Sequence, residues 1–493
     1  MAAGRNHGHR AMSVSTTPVR YDVAIVGAGV VGAALARALA HYRLDVVLLE
    51  AGDDVGAGTS KANTAILHTG FDTKPGSLES RLVRRGYALL SAYGPVAGIP
   101  IERIGALLVA WDAEQLGRLP EIAANARAVG YTGARLISLA ELTRFEPHLA
   151  PGALGALAIP DEGIVCPFTT PLAFATEAVM NGTTLVLGAA VTARAPGSLA
   201  THVLQTTRGA IHADHVVNAA GLGSDEIDRL FGHQTFTITP RRGELIVYDK
   251  LARPLVNHVL LPVPTARTKG VLVSPTVFGN VILGPTAEDV DDKRATGSTP
   301  AGLMRLVEQG RRLVPALVAE EVTAIYVGLR AATEHSDYQI RFHPAERYVC
   351  VGGIRSTGLT ASMAIAEYVV EGLQHAGLRL EARVDHRSVS MPNLSERTER
   401  PYQSADAIAR DAAYGEIVCH CERVTRGEIR DALTSVIPAP TLGGLRRRTR
   451  TLLGRCQGFY CGPAVAALLA ESRGCSLADV LGVGVGSGAQ DET

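Results

Sequence analysis

The 493-residue sequence is short of lysine, of tryptophan and of net charge. Lys occurs five times (Lys61, Lys74, Lys250, Lys269, Lys293), Arg supplies the other 43 basic residues, and there is a single Trp. Lys+Arg 48 balances Asp+Glu 48, so the formal net charge is zero. That balance lacks the basic footprint of a nucleic-acid binder or of a protein held to anionic lipid. With Arg so heavily used, an isolated Arg carries little information by itself. Long apolar runs are also missing: residues 23–36 form a charge-free stretch that is too short and too glycine-rich to span a bilayer, which takes about 20 residues. Residues 1–20 have no apolar signal core and read as a disordered extension. Cysteine numbers seven, an odd count, with Cys166, Cys350 and Cys475 scattered and four clustered late. This is not a disulfide framework; it points to a reducing, cytoplasmic setting and a metal or redox site. The rest is ordinary globular composition, long enough for two to four domains.

The first hundred residues carry the clearest pattern. A short apolar strand over 21–26 runs into Gly27-Ala-Gly29-Val-Val-Gly32, then an Ala/Leu-rich helix over 33–41, then a strand over 45–49 that ends in Glu50. In this order Gly27 permits the tight turn, Gly29 lets backbone approach a pyrophosphate, and Gly32 lets the helix pack closely on the strand. The helix N-terminus presents free N–H groups to phosphate, and Glu50 is spaced to accept from ribose hydroxyls. The glycine-rich loop that follows, with Thr59, Ser60 and Asn63, is suited to wrapping further phosphate and ribitol oxygens. Glycines at 352, 353 and 358 precede an Ala-rich helix over 361–373 and offer a second set of N–H groups, around Gly353, Ile354, Gly358, Leu359 and Thr360. His68 follows in an otherwise apolar segment, a position where a His is more often structural than catalytic.

Taken in order, residues 27–32, Ser60-Lys-Ala-Asn63, His68-Thr-Gly70-Phe-Asp72, Asn218-Ala-Ala-Gly221, Gly328-Leu-Arg330 and the glycine run from 352 to Thr360 resemble the FAD-dependent glycerol-3-phosphate dehydrogenase / D-amino-acid-oxidase superfamily over about three quarters of the chain. Within it, the pattern is similar to the anaerobic-type glycerol-3-phosphate dehydrogenase large subunits, and L-2-hydroxyglutarate dehydrogenases share much of it. The resemblance implies a flavin contact at Ala220 and Gly221, an adenine contact through the Val191 backbone, and a substrate-anion role for Arg330. A guanidinium grips phosphate or carboxylate bidentately. Lys269 is a weaker partner for the same anion. Arg355 departs from the uncharged or acidic residue expected beside the flavin.

Segments over 105–110, 243–248, 270–273 and 281–283 read as strands of a mixed-sheet substrate domain, and an amphipathic helix is expected between 292 and 314, stopped by Pro315. Residues 384–415 read as a linker or wrapping arm. Beyond it, Cys419-x-Cys421 and Cys456-x4-Cys461, separated by 34 residues, bring four thiolates in two pairs. The C-x-C spacing fits zinc poorly. With Glu422-Arg-Val-Thr425 and Gly454-Arg-Cys-Gln-Gly458, the segment resembles the bacterioferritin-associated-ferredoxin-like [2Fe-2S] domain. The basic run over 446–450 reads as a solvated helix face.

The expected architecture is therefore α/β. A Rossmann-like FAD domain spans 21–383 with substrate-domain segments at about 96–150 and 236–325. A small helical [2Fe-2S] domain follows at 416–480, and then a flexible tail over 481–493. The expected activity is oxidation of a small anionic alcohol, glycerol 3-phosphate first. Arg330 and Lys269 clamp the anion, His68 handles the hydroxyl proton, and electrons leave to a quinone or partner subunit, with any membrane association peripheral. A 2-hydroxy-acid dehydrogenase, an amine or amino-acid dehydrogenase subunit, and an electron-relay protein without its own substrate are the alternatives.

Overall fold

The computed structural model describes residues 19–198, 201–264 and 270–482. The expected N-terminal extension and C-terminal tail fall almost wholly outside these residues, and Lys269 falls outside them altogether. The first strand, Arg20–Val26, runs parallel to Val46–Leu49 on one side and to Gly209–Asn218 on the other. Parallel pairing continues outward to Thr184–Val186 and to Tyr348–Gly352. Antiparallel strands Thr201–Thr206, Val191–Ser198 and Gln339–His343 complete an eight-stranded sheet. The central strands are apolar runs because both faces are covered. Val46–Leu49 is buried along its whole length, and helix Val30–Leu39 packs between helices Thr169–Met180 and Gly358–His375.

A second, nine-stranded mixed sheet draws its strands from 106–159 and 239–332. Strand Thr239–Tyr248 is its spine, antiparallel along its whole length to Val322–Ala332. The strands expected at 270–273 and 281–283 are present as Leu272–Pro275 and Val281–Gly284, paired antiparallel as a hairpin. The expected amphipathic helix runs Pro300–Leu313, with Thr299 Oγ1 capping the Gly302 N–H and Leu306 turned into the core. Residues past 383 do wrap: the Met391 N–H donates to Ala97 O, the Glu396 N–H to Val277 O, and the Asn181 side chain grips Arg387 backbone from both sides.

The C-terminal unit has its own small core of Val424, Ile429, Leu445, Val465 and Leu469 under helices Arg426–Thr434, Leu442–Thr449 and Gly462–Arg473. A reciprocal capping box between Thr425 and Glu428 starts the first of them. Here one expectation is corrected. The basic run is not a solvated face: Arg448 and Arg450 are buried, and the Arg447 side chain is largely covered. They are tolerated inside because acids from the preceding domain and from the cysteine loop meet them. Among the described residues no helix is long and apolar enough to cross a membrane.

Candidate functional site

The glycine turn is built as a cradle. Gly27 has φ +105°, and a Cβ there would lie 2.5 Å from Ala219 O and 3.1 Å from Ala220 Cα. Ala219 and Ala220 therefore sit directly against the turn, with Gly221 next in the chain. A Cβ on Gly32 would overlap Gly27 O, so helix and strand meet at backbone distance. Helix Val30–Leu39 has no side-chain cap and no acid in its first turn, and the same holds for Gly358–His375, whereas Ser77, Asp112, Thr299 and Thr441 cap other helices. Thr169–Met180 and Gly462–Arg473 also lack a side-chain cap, so what distinguishes the first two ends is the glycine turn in front of each, where first-turn N–H groups can meet a ligand's oxygens. Ser60 Oγ accepts the Val30 N–H at 2.9 Å, 3.3 Å from where a Gly29 Cβ would be. Glu50 Oε2 accepts the Ala28 N–H and Oε1 the Gly52 N–H, both at 2.8 Å, which fixes the carboxylate at the strand end. Val191 opens its strand two residues after Ala189, whose N–H donates to Glu50 O at 2.7 Å. This donor set fits FAD: first-turn N–H groups beyond the Val30 N–H that Ser60 takes, a glycine surface without side chains, and a fixed carboxylate. Asn63 is used locally, donating to Ser60 O and accepting the Ala65 N–H.

His68 follows the short strand Ile66–Leu67 and is held on several sides. Its backbone N–H donates to Thr360 Oγ1 at 2.9 Å, so Thr360 positions the His68 backbone. The Gly70 N–H donates to Nδ1 at 2.8 Å, which leaves the proton of the neutral ring on Nε2, 3.2 Å from Asp72 Oδ1. Buried Glu162 places Oε1 3.4 Å from Nδ1, while its Oε2 accepts the Thr69 N–H at 2.8 Å. Burial pushes the Glu162 carboxyl up, and His68 opposes that shift. Nothing in the turn Pro160-Asp-Glu-Gly163 marked Glu162 in the sequence.

Arg330 lies on strand Val322–Ala332, which is strapped to the cofactor loop. Thr59 Oγ1 donates to Leu329 O at 2.9 Å, Tyr326 Oη donates to Asn63 O at 2.7 Å, and a Cβ on Gly328 would overlap Ala62 O. The guanidinium lies over Gly243, whose added Cβ would be 3.2 Å from Arg330 Nη2. Burial, with Arg241 beside it, pushes its pKa below the usual value, and among the described residues no acid opposes this. Ile354 packs against Gly358, Leu359 is buried, Gly353 has φ +66°, and Arg355 is tethered by an Nη2 donation to Ser336 O at 2.6 Å.

The four cysteines interact as two pairs, Cys419 with Cys461 and Cys421 with Cys456. Cys461 holds the Cys419 thiol up, whereas burial first, and Cys456 after it, holds Cys421 up. Cys419 brings Cys461 down to about 7, and the Tyr460 N–H lowers Cys456. The Leu452 N–H, at the positive φ of +65°, also points at the Cys419–Cys461 pair. Four thiols with backbone donors aimed at them fit a [2Fe-2S] cluster. Cys419 and Cys461 are buried and Cys421 is exposed, as are Phe459 and Tyr460 just before Cys461, at 85% and 74%. His420 lies between two ligands with its ring edge-on to Tyr460.

The two cofactor regions are joined by charge. Fully buried Asp54, four residues past Glu50, takes Arg448 Nη2 on Oδ1 at 2.7 Å and Arg447 Nη2 on Oδ2 at 2.6 Å. Glu422, next to Cys421, accepts from Arg450 Nε at 3.1 Å and faces Lys250 Nζ at 3.0 Å. Arg450 also lies 4.2 Å over the Phe278 ring.

Comparison with known proteins agrees with this division. Residues 22–372 match the FAD dependent oxidoreductase family, and residues 417–471 match the BFD-like [2Fe-2S] binding domain. The chain is 34% identical to a glycerol 3-phosphate dehydrogenase of Caloramator mitchellensis, over 93% of this chain and 96% of that protein. It is 31% identical to a glycerol 3-phosphate oxidase of Mycoplasma pneumoniae, over 71% of this chain and 93% of that protein. The solved structure of dithionite-reduced L-alpha-glycerophosphate oxidase from Mycoplasma pneumoniae with FAD bound superimposes with a TM-score of 0.71 at 28% identity, covering 75% of this chain and 98% of that one.

Proposed function

The chain belongs to the FAD dependent oxidoreductase family, and on that premise we propose that it oxidises sn-glycerol 3-phosphate to dihydroxyacetone phosphate and passes the electrons through its [2Fe-2S] domain to an acceptor outside the chain. FAD supplies the hydride acceptor and the cluster a one-electron carrier. Arg330 binds the substrate anion, and Lys269 adds a second cation. Thr360 and Gly70 hold His68 in place, and the Asp72–His68–Glu162 group takes up the hydroxyl proton. Glu50, Ser60 and the two helix ends behind glycine turns hold the dinucleotide. Cys419, Cys421, Cys456 and Cys461 hold the cluster, with Cys421 toward solvent, where a quinone or partner subunit collects the electron. Placement is cytoplasmic, and any contact with a membrane runs through that partner.

The observation that carries this reading is Arg330: a half-buried guanidinium that meets no acid among the described residues, on a strand strapped to the cofactor loop. Burial of an uncompensated cation is costly unless a ligand anion completes it. The test is an anaerobic visible spectrum of the protein before and after glycerol 3-phosphate. Bleaching of both flavin and iron–sulfur bands is the expected result. Bands unchanged by glycerol 3-phosphate but bleached by L-2-hydroxyglutarate would replace the phosphate by a carboxylate on the same arginine.

A further inference from the structure

Strand register places Arg330 directly opposite Arg241 of strand Thr239–Tyr248. Residues directly opposite in an antiparallel pair share a face, and like charges there repel. The same face carries Gly328 and Tyr326, which abut the Ala62–Asn63 backbone, so both arginines lie on the side of the sheet that meets the cofactor loop. The two differ in how their charge is met. Arg330 has no acid among the described residues, and residues 265–269, outside them, contain none. Arg241 is held by one: Nε donates to Asp289 Oδ1 at 2.6 Å and Nη2 to Oδ2 at 2.9 Å, a bidentate pair. Both members of that pair are about half exposed, Arg241 48% and Asp289 51%, so water reaches it and a competing anion can too.

A single carboxylate charge satisfies Arg330 and leaves Arg241 where it is. A phosphate monoester carries a second charge and a third oxygen, and can take both guanidiniums. Resting on the reading that Arg330 binds the substrate anion, we propose that Arg241 is a second guanidinium of that site, and that Asp289 is its resident counter-ion, exchanged for the substrate's phosphate when substrate binds. This makes the Arg241–Asp289 pair a determinant of phosphate over carboxylate. No bond forms or breaks; one ion pair is exchanged for another.

The signs of two variants test it. Arg241→Gln removes the second cation, and KM for glycerol 3-phosphate is expected to rise roughly 10-fold or more, with kcat within about 3-fold of wild type. Asp289→Asn removes the competitor, and KM is expected to fall roughly 3-fold or more. Calorimetric titration of the same proteins with inorganic phosphate at about pH 8, where the anion is doubly charged, is expected to follow the same order of affinity. Wild-type KM and wild-type phosphate affinity in both variants would overturn the proposal while leaving Arg330 and the glycerol 3-phosphate reading standing. A wild-type protein that does not oxidise glycerol 3-phosphate would remove that reading instead, and the phosphate titrations would still decide whether Arg241 and Asp289 govern anion binding. Should Arg241→Gln fail to fold, the Asp289→Asn arm decides alone, because tighter binding cannot come from misfolding.

Discussion

At the scale of single residues, the group proposed to handle the hydroxyl proton is larger than the histidine that advertised it. His68 stood out by position in a motif, whereas Glu162 lies 94 residues away in a turn and meets the ring only in the fold. The buried carboxyl lies 3.4 Å from Nδ1 and Asp72 3.2 Å from Nε2, so the proposed proton uptake takes place between two carboxyl groups, and at Nδ1 it displaces the Gly70 N–H. Glu162→Gln keeps shape and removes the ability to ionise beside a protonated ring. The doubly protonated ring then loses stabilisation, so the acid limb of the pH–rate profile is expected to move to lower pH. kcat is expected to fall about 10-fold, the loss of one charge-assisted contact. KM should barely change, because the contacts of Glu162 are with Thr69 and His68 and not with Arg330. Measuring kcat and kcat/KM from about pH 5 to 9 separates this from a folding defect, which would leave the profile of the surviving protein unmoved.

At the scale of elements, strands and helices were legible and their neighbours were not. Alternating segments at 243–248 and 281–283, and the Leu303/Leu306/Val307 stripe, carried the local periods of strand and helix. Which strand lies beside which depends on contacts far apart in sequence, and so the pairing of Thr239–Tyr248 with Val322–Ala332 has no local signal. That pairing brings Gly243 under the Arg330 guanidinium. Gly243→Ala would place a Cβ 2.9 Å from Pro285 Cβ and 3.2 Å from Arg330 Nη2, pushing the arginine out of position. The expected outcome is a KM increase of roughly 10-fold for glycerol 3-phosphate with FAD content unchanged. Loss of FAD with unchanged KM would show that the strand pair supports the cofactor loop rather than the anion. Gly328→Ala is the converse: its Cβ overlaps Ala62 O in the cofactor loop, so FAD retention after gel filtration should drop first.

At the scale of the whole molecule, the basic run shows why composition misleads. In a chain with 43 Arg, three successive arginines are read as solvated charge, yet Arg447 and Arg448 cross 393 and 394 residues to one buried aspartate. Asp54 sits in the loop after Glu50, so the iron–sulfur unit is docked onto the dinucleotide-binding segment itself. Burial alone would raise the Asp54 carboxyl, but Arg448 and then Arg447 overcome it and hold its pKa below the ordinary value. A depressed folded pKa contributes stability that is present above the unfolded value, about 3.9, and is lost as pH falls through the folded one. The clamp is therefore intact across the neutral range and loosens only in strong acid. Asp54→Ala leaves two covered guanidiniums without an anion, a cost of about 3–5 kcal/mol that falls on the docking of the C-terminal unit, since that unit has its own core. Such a variant is expected to keep FAD and to bleach the flavin with substrate at the wild-type rate. Its cluster bands should follow at least 10-fold more slowly in stopped-flow absorbance, because the distance between the two centres is no longer fixed. Cluster bleaching that keeps pace with the flavin in the Asp54→Ala protein would mean that the remaining contacts, Arg450 with Glu422 and Lys250 with Glu422, hold the two units together without it.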